Sequence, residues 1–382
     1  MARPDPRIRW IAPIVVAVVV LLAYWWLHPK QHTLGVAYVS EKSVTLLSST
    51  AEVSQNVVTL HYGDRVTVLA QQGPVEQVRS AAGATGWMDT SALMSPGLWQ
   101  LSTTLLARAQ GMEVQARGYA KTVTNVHIAP GRSSDRIYQF ARNVPVVILS
   151  RAVAPAALVD ASGDEAASAP ADQSKPKLED WLLVMRDSSA ATVPLPAESA
   201  AVSPVTPNPA PASGDGSATD PALPMAGWVL ARFIEMNPPG PVRDNALSSD
   251  LHLVAWFELN RVPGAIGDSS DATASGEDGG SGEMPQYLVA GSRGEEGQAC
   301  DFTLLRVYTW DDPKQRYETA FLESDLCGKL PIHVSENGGD PEFQFTDAND
   351  VGGQRTYVMH KTMVRRVGPD QKSAHAPRHS PK

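Results

Sequence analysis

Residues 57–69 read VVTLHYGDRVTVL, with short runs of mainly β-branched residues on either side of Tyr62-Gly63-Asp64. Such runs are typical of β-strands, and glycine next to aspartate is typical of a turn. The stretch therefore predicts two strands joined by a turn. Similar runs at 44–47 and 75–78 extend the pattern, so residues 33–95 are predicted to form one small β domain.

The same order of strands and turns occurs again in residues 118–240. Both stretches end on a Gly-Trp pair, Gly86-Trp87 in the first and Gly227-Trp228 in the second. The second stretch is interrupted by residues 152–177 and 188–222, whose small, polar and proline-rich composition buries too little apolar surface to offset its ordering entropy. We therefore expect an internal repeat whose second copy carries two disordered insertions.

The remaining segments outside the N-terminal 32 residues differ in character. Leucine and methionine at helical spacing predict a connecting helix in residues 96–117. Residues 247–367 contain further strand-like runs, among them VYTWDDPKQRYETAF with a turn at Asp311-Asp312-Pro313-Lys314, and predict a small antiparallel β domain. A disordered loop is expected at 264–284 and a basic disordered tail at 368–382.

The two copies resemble bacterial SH3-like domains, often written SH3b. The motifs that carry the resemblance are residues 63–69 (GDRVTVL), 125–130 (NVHIAP), 180–184 (DWLLV) and the two closing Gly-Trp pairs. Val75 departs from the family pattern, which has tryptophan there. The resemblance implies two small β-barrels that bind cell-wall peptide or a proline-rich partner, the mode in which aromatic grooves take extended chains.

Five aromatic residues in the two copies are candidate ligand contacts: Tyr62, Trp87, Tyr138, Trp181 and Trp228. The alternative for the tryptophans is core packing, because a barrel of about 60 residues has a thin core that needs a large aromatic side chain. Both interpretations stay open at this point.

Residues 10–27 read WIAPIVVAVVVLLAYWWL, an uncharged run that would span roughly 27 Å as a helix. Three arginines precede the run and one lysine follows it closely, which places the N-terminus in the cytoplasm. We expect residues 1–32 to form a cytoplasmic stub and a single-pass anchor in the cytoplasmic membrane. The bulk of the chain would then be periplasmic or otherwise extracytoplasmic. A cleaved signal peptide is the alternative.

Composition restricts the function further. The net charge of −9 argues against nucleic-acid binding, which needs a basic face. Phosphate-binding loops, dinucleotide fingerprints and zinc-ligand spacings are absent from the sequence, so we expect no cofactor and no metal. The two cysteines, Cys300 and Cys327, are predicted to form one disulfide.

The sequence predicts no enzyme. A cysteine peptidase would have to combine Cys300 with His333 or His360, and Cys300 lies at the start of a strand-like run rather than of a helix. The expected function is non-catalytic binding of cell-wall peptide (peptidoglycan) or of an envelope protein partner, in a mainly β, membrane-anchored chain. The alternatives are an accessory or regulatory subunit of a wall hydrolase or another envelope complex, and a hydrolase.

Overall fold

The computed structural model describes residues 33–51, 53–156, 177–189, 224–246, 251–264, 282–350 and 353–368. Most of each predicted disordered segment lies outside these residues. The described part of the chain is mainly β, with four antiparallel sheets and two α-helices. The chain divides into two compact units, Met1–Trp99 and Gln100–Lys382.

The first unit contains one seven-stranded sheet, here called repeat 1. Its strands follow one another around the sheet in the order β3-β2-β6-β5-β4-β1-β7. The strands are β1 Gly35–Val39, β2 Ser43–Leu47, β3 Asn56–His61, β4 Arg65–Gln72, β5 Val75–Ser80, β6 Thr85–Asp89 and β7 Leu93–Met94. Alternating apolar side chains, including Val39, Leu46 and Val78, are fully buried in its core. A 3₁₀ turn, Thr90–Ala92, precedes β7.

The turn after β3 forms because two residues suit it. Gly63 has φ of +84°, which an L side chain rarely adopts, and the Asp64 carboxylate accepts a hydrogen bond from the His61 backbone N–H at 2.9 Å. The strand–turn–strand pattern of residues 57–69 is therefore present in the structure.

The second unit contains repeat 2, another seven-stranded sheet. Its order, β10-β9-β13-β12-β11-β8-β14, matches that of repeat 1 strand for strand. The strands are β8 Ala116–Ala120, β9 Thr124–His127, β10 Arg136–Phe140, β11 Pro145–Pro155, β12 Leu178–Arg186, β13 Ala226–Leu230 and β14 Ile234–Met236, with a 3₁₀ turn at Ala231–Phe233.

The repeats also share their strand register. Val68 pairs with Val78 in repeat 1, Ile148 pairs with Val184 in repeat 2, and a bulge follows each pair. Counting along the same ladders places Trp228 at the position of Trp87. The internal repeat is thus a repeat of topology and register.

Two helices accompany the sheets. α1, Pro96–Gln110, is shorter than the predicted segment 96–117, and β8 starts within that segment. The boundary between the two compact units falls inside α1. α2, Gly240–Ala246, follows repeat 2 and packs Val242 and Ala246 on Tyr287 and Tyr308.

The C-terminal part is a sandwich of two four-stranded sheets, each with its strands in chain order. The first sheet holds β15 His252–Pro263, β16 Glu283–Ser292, β17 Leu304–Asp311 and β18 Arg316–Glu323. The second holds β19 Gly328–Asn337, β20 Asp340–Asp347, β21 Gln354–His360 and β22 Met363–Val367. Leu288, Leu305 and Phe343 belong to the core between them. As predicted, Cys300 and Cys327 form a disulfide.

The predicted fold class and localisation require a correction, because both included a membrane-spanning helix. None of the described helices is long and apolar enough to cross a membrane. The longest, α1, has 15 residues and carries polar side chains on much of its surface. The predicted anchor, residues 10–27, lies outside the described residues. The fold class supported by the structure is a mainly β chain with four sheets and two helices, and the membrane localisation has no support in it.

Candidate functional site

Repeat 2 has a groove on its surface with a volume of about 420 Å³. Half-buried and buried ring side chains form its apolar part, and exposed amide side chains form its rim. The lining residues, which define the groove, are Val123, Thr124, Asn125, His127, Arg132, Gln139, Trp181, Leu230 and Phe233. Strands β9, β10, β12 and β13 and the 3₁₀ turn all contribute to it.

Trp181 and His127 form the aromatic centre of the groove. The Trp181 side chain is 1% exposed, and the His127 ring meets it edge-on at 5.3 Å between centroids. His127 Nδ1 lies 2.7 Å from the Ser134 carbonyl oxygen, so Nδ1 donates the hydrogen bond and Nε2 is left for another partner. Within the described residues, the buried Trp181 Nε1–H has no hydrogen-bond acceptor.

A carboxylate beneath the groove fixes two arginines. Glu179 accepts two hydrogen bonds from Arg132, at 2.6 and 2.8 Å, and one from Arg232 at 2.9 Å. These hydrogen bonds outweigh the effect of burial and lower the pKa of Glu179 to about 2. The trio therefore carries a net charge of +1, with the guanidinium of Arg132 at the edge of the groove.

Repeat 1 has aliphatic side chains at the positions where repeat 2 has the rings of the groove. The shared ladders place Leu47 where repeat 2 has His127, and Val75 where it has Trp181. In each repeat a 3₁₀ turn follows the strand that contains the Gly-Trp pair. Counting along these turns places Ala92 of repeat 1 at the position of Phe233 of repeat 2. The aromatic groove is thus an addition to repeat 2 rather than a feature of the shared fold.

The carboxylate that holds the two arginines also lies in an addition. In repeat 1 the β4–β5 ladder closes at the pair Gln72 and Val75. In repeat 2 the equivalent β11–β12 ladder continues for three more pairs, and this extension carries Glu179 and Asp180. The sequence comparison missed Arg132, His127 and Phe233, although aligning the two copies position by position would have shown their difference from repeat 1.

The five aromatic residues predicted to contact ligand occupy different environments. Trp181 lines the groove, whereas Tyr138 is 7% exposed and packs edge-on against Phe140. Trp228 is half-buried between two hydrophobic clusters of repeat 2 and pairs with His127 across the sheet. In the first unit Trp87 is half-buried opposite Leu47 in the ladder, and Tyr62 packs at 5.6 Å against Trp99.

The residues considered for cysteine catalysis are not assembled into such a site. Cys300 is bonded to Cys327 and has no thiol to offer as a nucleophile. His333 faces the Glu113 carboxylate at 2.9 Å and His360 faces that of Asp340 at 3.1 Å. Across the described residues, no group of three or more His, Cys, Asp or Glu side chains could hold a metal ion.

Comparisons with known proteins are sparse. No protein-family model matches the sequence, and no curated protein matches it. NlpC2 from Trichomonas vaginalis is 16% identical over 32% of this chain and 40% of its own, with a TM-score of 0.15. An NlpC/P60 family protein from Bacillus cereus is 10% identical over 58% and 64%, with a TM-score of 0.20. The chain spans less than two thirds of either structure, and TM-scores this low establish no shared fold.

Proposed function

We propose that the protein is a non-catalytic binding protein that takes an extended cell-wall peptide in the groove of repeat 2. The observation that carries the proposal is the difference between the repeats. His127, Trp181 and Phe233 line the groove, and the same fold in repeat 1 has Leu47, Val75 and Ala92 instead. Aromatic side chains that the fold itself does not require are expected where a ligand is bound.

The chemistry of the groove suits a peptide backbone. The rings of His127 and Phe233 offer apolar surface. The exposed amides of Asn125 and Gln139 are joined by a hydrogen bond of 3.1 Å, and the Asn125 amide N–H groups and the Gln139 amide oxygen can still donate to and accept from a ligand. Arg132, fixed by Glu179, adds a guanidinium at the edge for a carboxylate. The choice of wall peptide rests on the resemblance of the two repeats to bacterial SH3-like domains.

The proposal is tested by co-sedimentation of the full chain with purified peptidoglycan. The variants His127→Leu and Phe233→Ala place the residue of repeat 1 at the same position of repeat 2. We expect each to weaken binding by about tenfold, which corresponds to about 1.4 kcal/mol. Leu47→Ala in repeat 1 is the matched control and should bind like the unmodified chain.

Unchanged circular dichroism spectra and melting curves must accompany the losses. If the unmodified chain stays in solution, or if the two groove variants sediment as it does, the wall-peptide proposal is wrong. Capture of an envelope protein by the same groove, lost in the same variants, would replace the wall peptide with a protein ligand.

A further inference from the structure

A second and larger cavity, here called the cleft, lies in the second unit between repeat 2 and the C-terminal sandwich. Its volume is about 640 Å³, within the range of small-ligand sites. Its apolar walls come from both sides, with Leu182 and Ile234 from repeat 2 and Leu251, Leu253 and Leu330 from the sandwich side. The cleft and the groove share strand β12 through two consecutive residues: Trp181 lines the groove and Leu182 lines the cleft.

Charged side chains of opposite sign surround the cleft. Lys121, Arg232 and Arg243 come from repeat 2 and α2. Glu295 and Glu296 come from the loop between β16 and β17. His252, Glu235 and the ion-paired Arg151, Asp180 and Asp301 complete the charged and titratable lining. Glu235 lies within hydrogen-bonding distance of Tyr119.

The two groups of charges do not neutralise each other. Among the described residues, no ion pair joins Lys121, Arg232 or Arg243 to Glu295 or Glu296. Arg232 is engaged with Glu179, and Arg243 approaches Asp244 only at 3.5 Å on the exposed surface. Lys121, Glu295 and Glu296 are exposed at the cleft, and none of them forms an ion pair with another described residue.

The acidic side of the cleft is held in place. The Arg151 guanidinium donates hydrogen bonds to the carbonyls of Gln298 and Cys300, and Gly297 N–H donates to Asp180 at 2.9 Å. The disulfide of Cys300 fixes the end of the same loop to the sandwich. A loop that is already ordered loses little conformational entropy when it binds a ligand.

We infer that the cleft is a second ligand site for a small zwitterion with an apolar body, such as a short peptide with free amino and carboxyl ends. The ammonium group pairs with Glu295 and Glu296, and the carboxylate pairs with Lys121 and Arg243. The leucine side chains of the walls contact the body between the charges. This site is separate from the groove and does not depend on the proposed function of the groove.

The test uses the dipeptide leucyl-leucine as the probe, titrated calorimetrically into the full chain. Two blocked forms, N-acetyl-leucyl-leucine and leucyl-leucine amide, remove one charge each and keep the apolar body. We expect the free dipeptide to bind and each blocked form to bind at least tenfold more weakly. Equal binding of all three, or no heat from the free dipeptide at millimolar concentration, overturns the inference.

Substitutions at the cleft test whether the dipeptide binds there. We expect Glu295→Gln/Glu296→Gln to abolish the preference for the free amine and Lys121→Met to reduce the preference for the free carboxylate. Glu336→Gln, an exposed acid on β19 away from the cleft, is the control. Phe233→Ala should leave dipeptide binding unchanged, so that failure of the groove and failure of the cleft are distinguishable. Dipeptide binding that survives both cleft variants would contradict the assignment.

Discussion

Arg151 of repeat 2 and Asp301 of the C-terminal part form an ion pair of 2.9 Å in which each side chain is 7% exposed. The same guanidinium lies 2.5 Å from Asp180, while Lys329 lies 3.6 Å from Asp301 and supplies a second positive charge. Asp301 also accepts a hydrogen bond from the Leu330 N–H. One buried acid, one partly buried acid and two cationic side chains thus connect repeat 2 to the sandwich.

Removing Arg151 leaves this network unbalanced. We expect Arg151→Met to lower the free energy of unfolding by about 3–5 kcal/mol, because one buried and one partly buried carboxylate lose their shared partner. Urea unfolding followed by tryptophan fluorescence measures the effect. Arg316→Met is the control, since Arg316 is 65% exposed and its surface ion pair contributes less than about 1 kcal/mol. Similar losses in the two variants would contradict the role given to Arg151.

The ion pairs of Glu179 with Arg132 and Arg232 make the free energy of unfolding depend on pH. Because the pKa of Glu179 is lowered to about 2 in the folded chain, its contribution is present above its ordinary pKa near 4.5 and is lost as the pH falls toward 2. We expect Glu179→Gln to lower the free energy of unfolding by about 2 kcal/mol at pH 7. The gap to the unmodified chain should narrow between pH 4.5 and pH 2. A gap that does not change over this range would show that Glu179 acts through packing alone.

The disulfide stabilises the loop that carries the acidic side of the cleft. Cys300 and Cys327 are separated by 27 positions, and closing a loop of this length contributes about 3–4 kcal/mol in the chain-entropy account. We expect Cys300→Ala/Cys327→Ala to destabilise the chain by about that amount. Hydrogen exchange of residues 293–303 should increase more than that of repeat 1. Addition of a reductant to the unmodified chain should reproduce both effects, and an unchanged exchange rate in the loop would contradict the prediction.

Two glycines of repeat 1 allow the effect of backbone conformation on stability to be distinguished from the effect of close packing. Gly63 and Gly73 both have positive φ, +84° and +60°, but a Cβ on Gly63 would approach the Trp99 ring at 2.8 Å, whereas a Cβ on Gly73 meets nothing within 4 Å. Trp99 is also stacked on Tyr38 at 5.0 Å. We expect Gly73→Ala to destabilise repeat 1 by about 1 kcal/mol and Gly63→Ala by about 2 kcal/mol or more. Thermal unfolding of both variants tests this, and equal melting temperatures would show that the Trp99 ring moves aside at no cost.

Much of the strand pattern was predictable because it depends on local composition. Runs of β-branched residues broken by Gly and Asp predicted the strands on either side of Tyr62-Gly63-Asp64, and the paired Gly-Trp endings predicted the repeat. Helix length was predicted less well, since the apolar spacing continued past Gly111 to Met112 while the helical backbone did not. The membrane-spanning helix was the clear error in the fold class, as no described helix has the necessary length and apolarity.

The candidate site was predictable only in part. Trp181 stands out in the sequence as a large aromatic residue in a strand-like run, and it does line the groove. His127 and Phe233 lie 54 and 52 positions from it and join it only when β9, β12 and the 3₁₀ turn come together. Tyr138 looks equivalent in the sequence but faces the core, because one residue of register along a strand exchanges the two faces of a sheet.

The sequence by itself determined the local elements, the twofold repeat and the pairing of its two cysteines, since strand propensity, turn chemistry and a cysteine count are properties of short segments or of composition. The tertiary structure alone decided which aromatic residues meet in the groove, that Glu179 holds Arg132 and Arg232 together, and that Arg151 joins repeat 2 to the loop before β17. These contacts join residues up to 150 positions apart. They depend on strand register and on the three added ladder pairs of β11 and β12, which local sequence preferences do not encode.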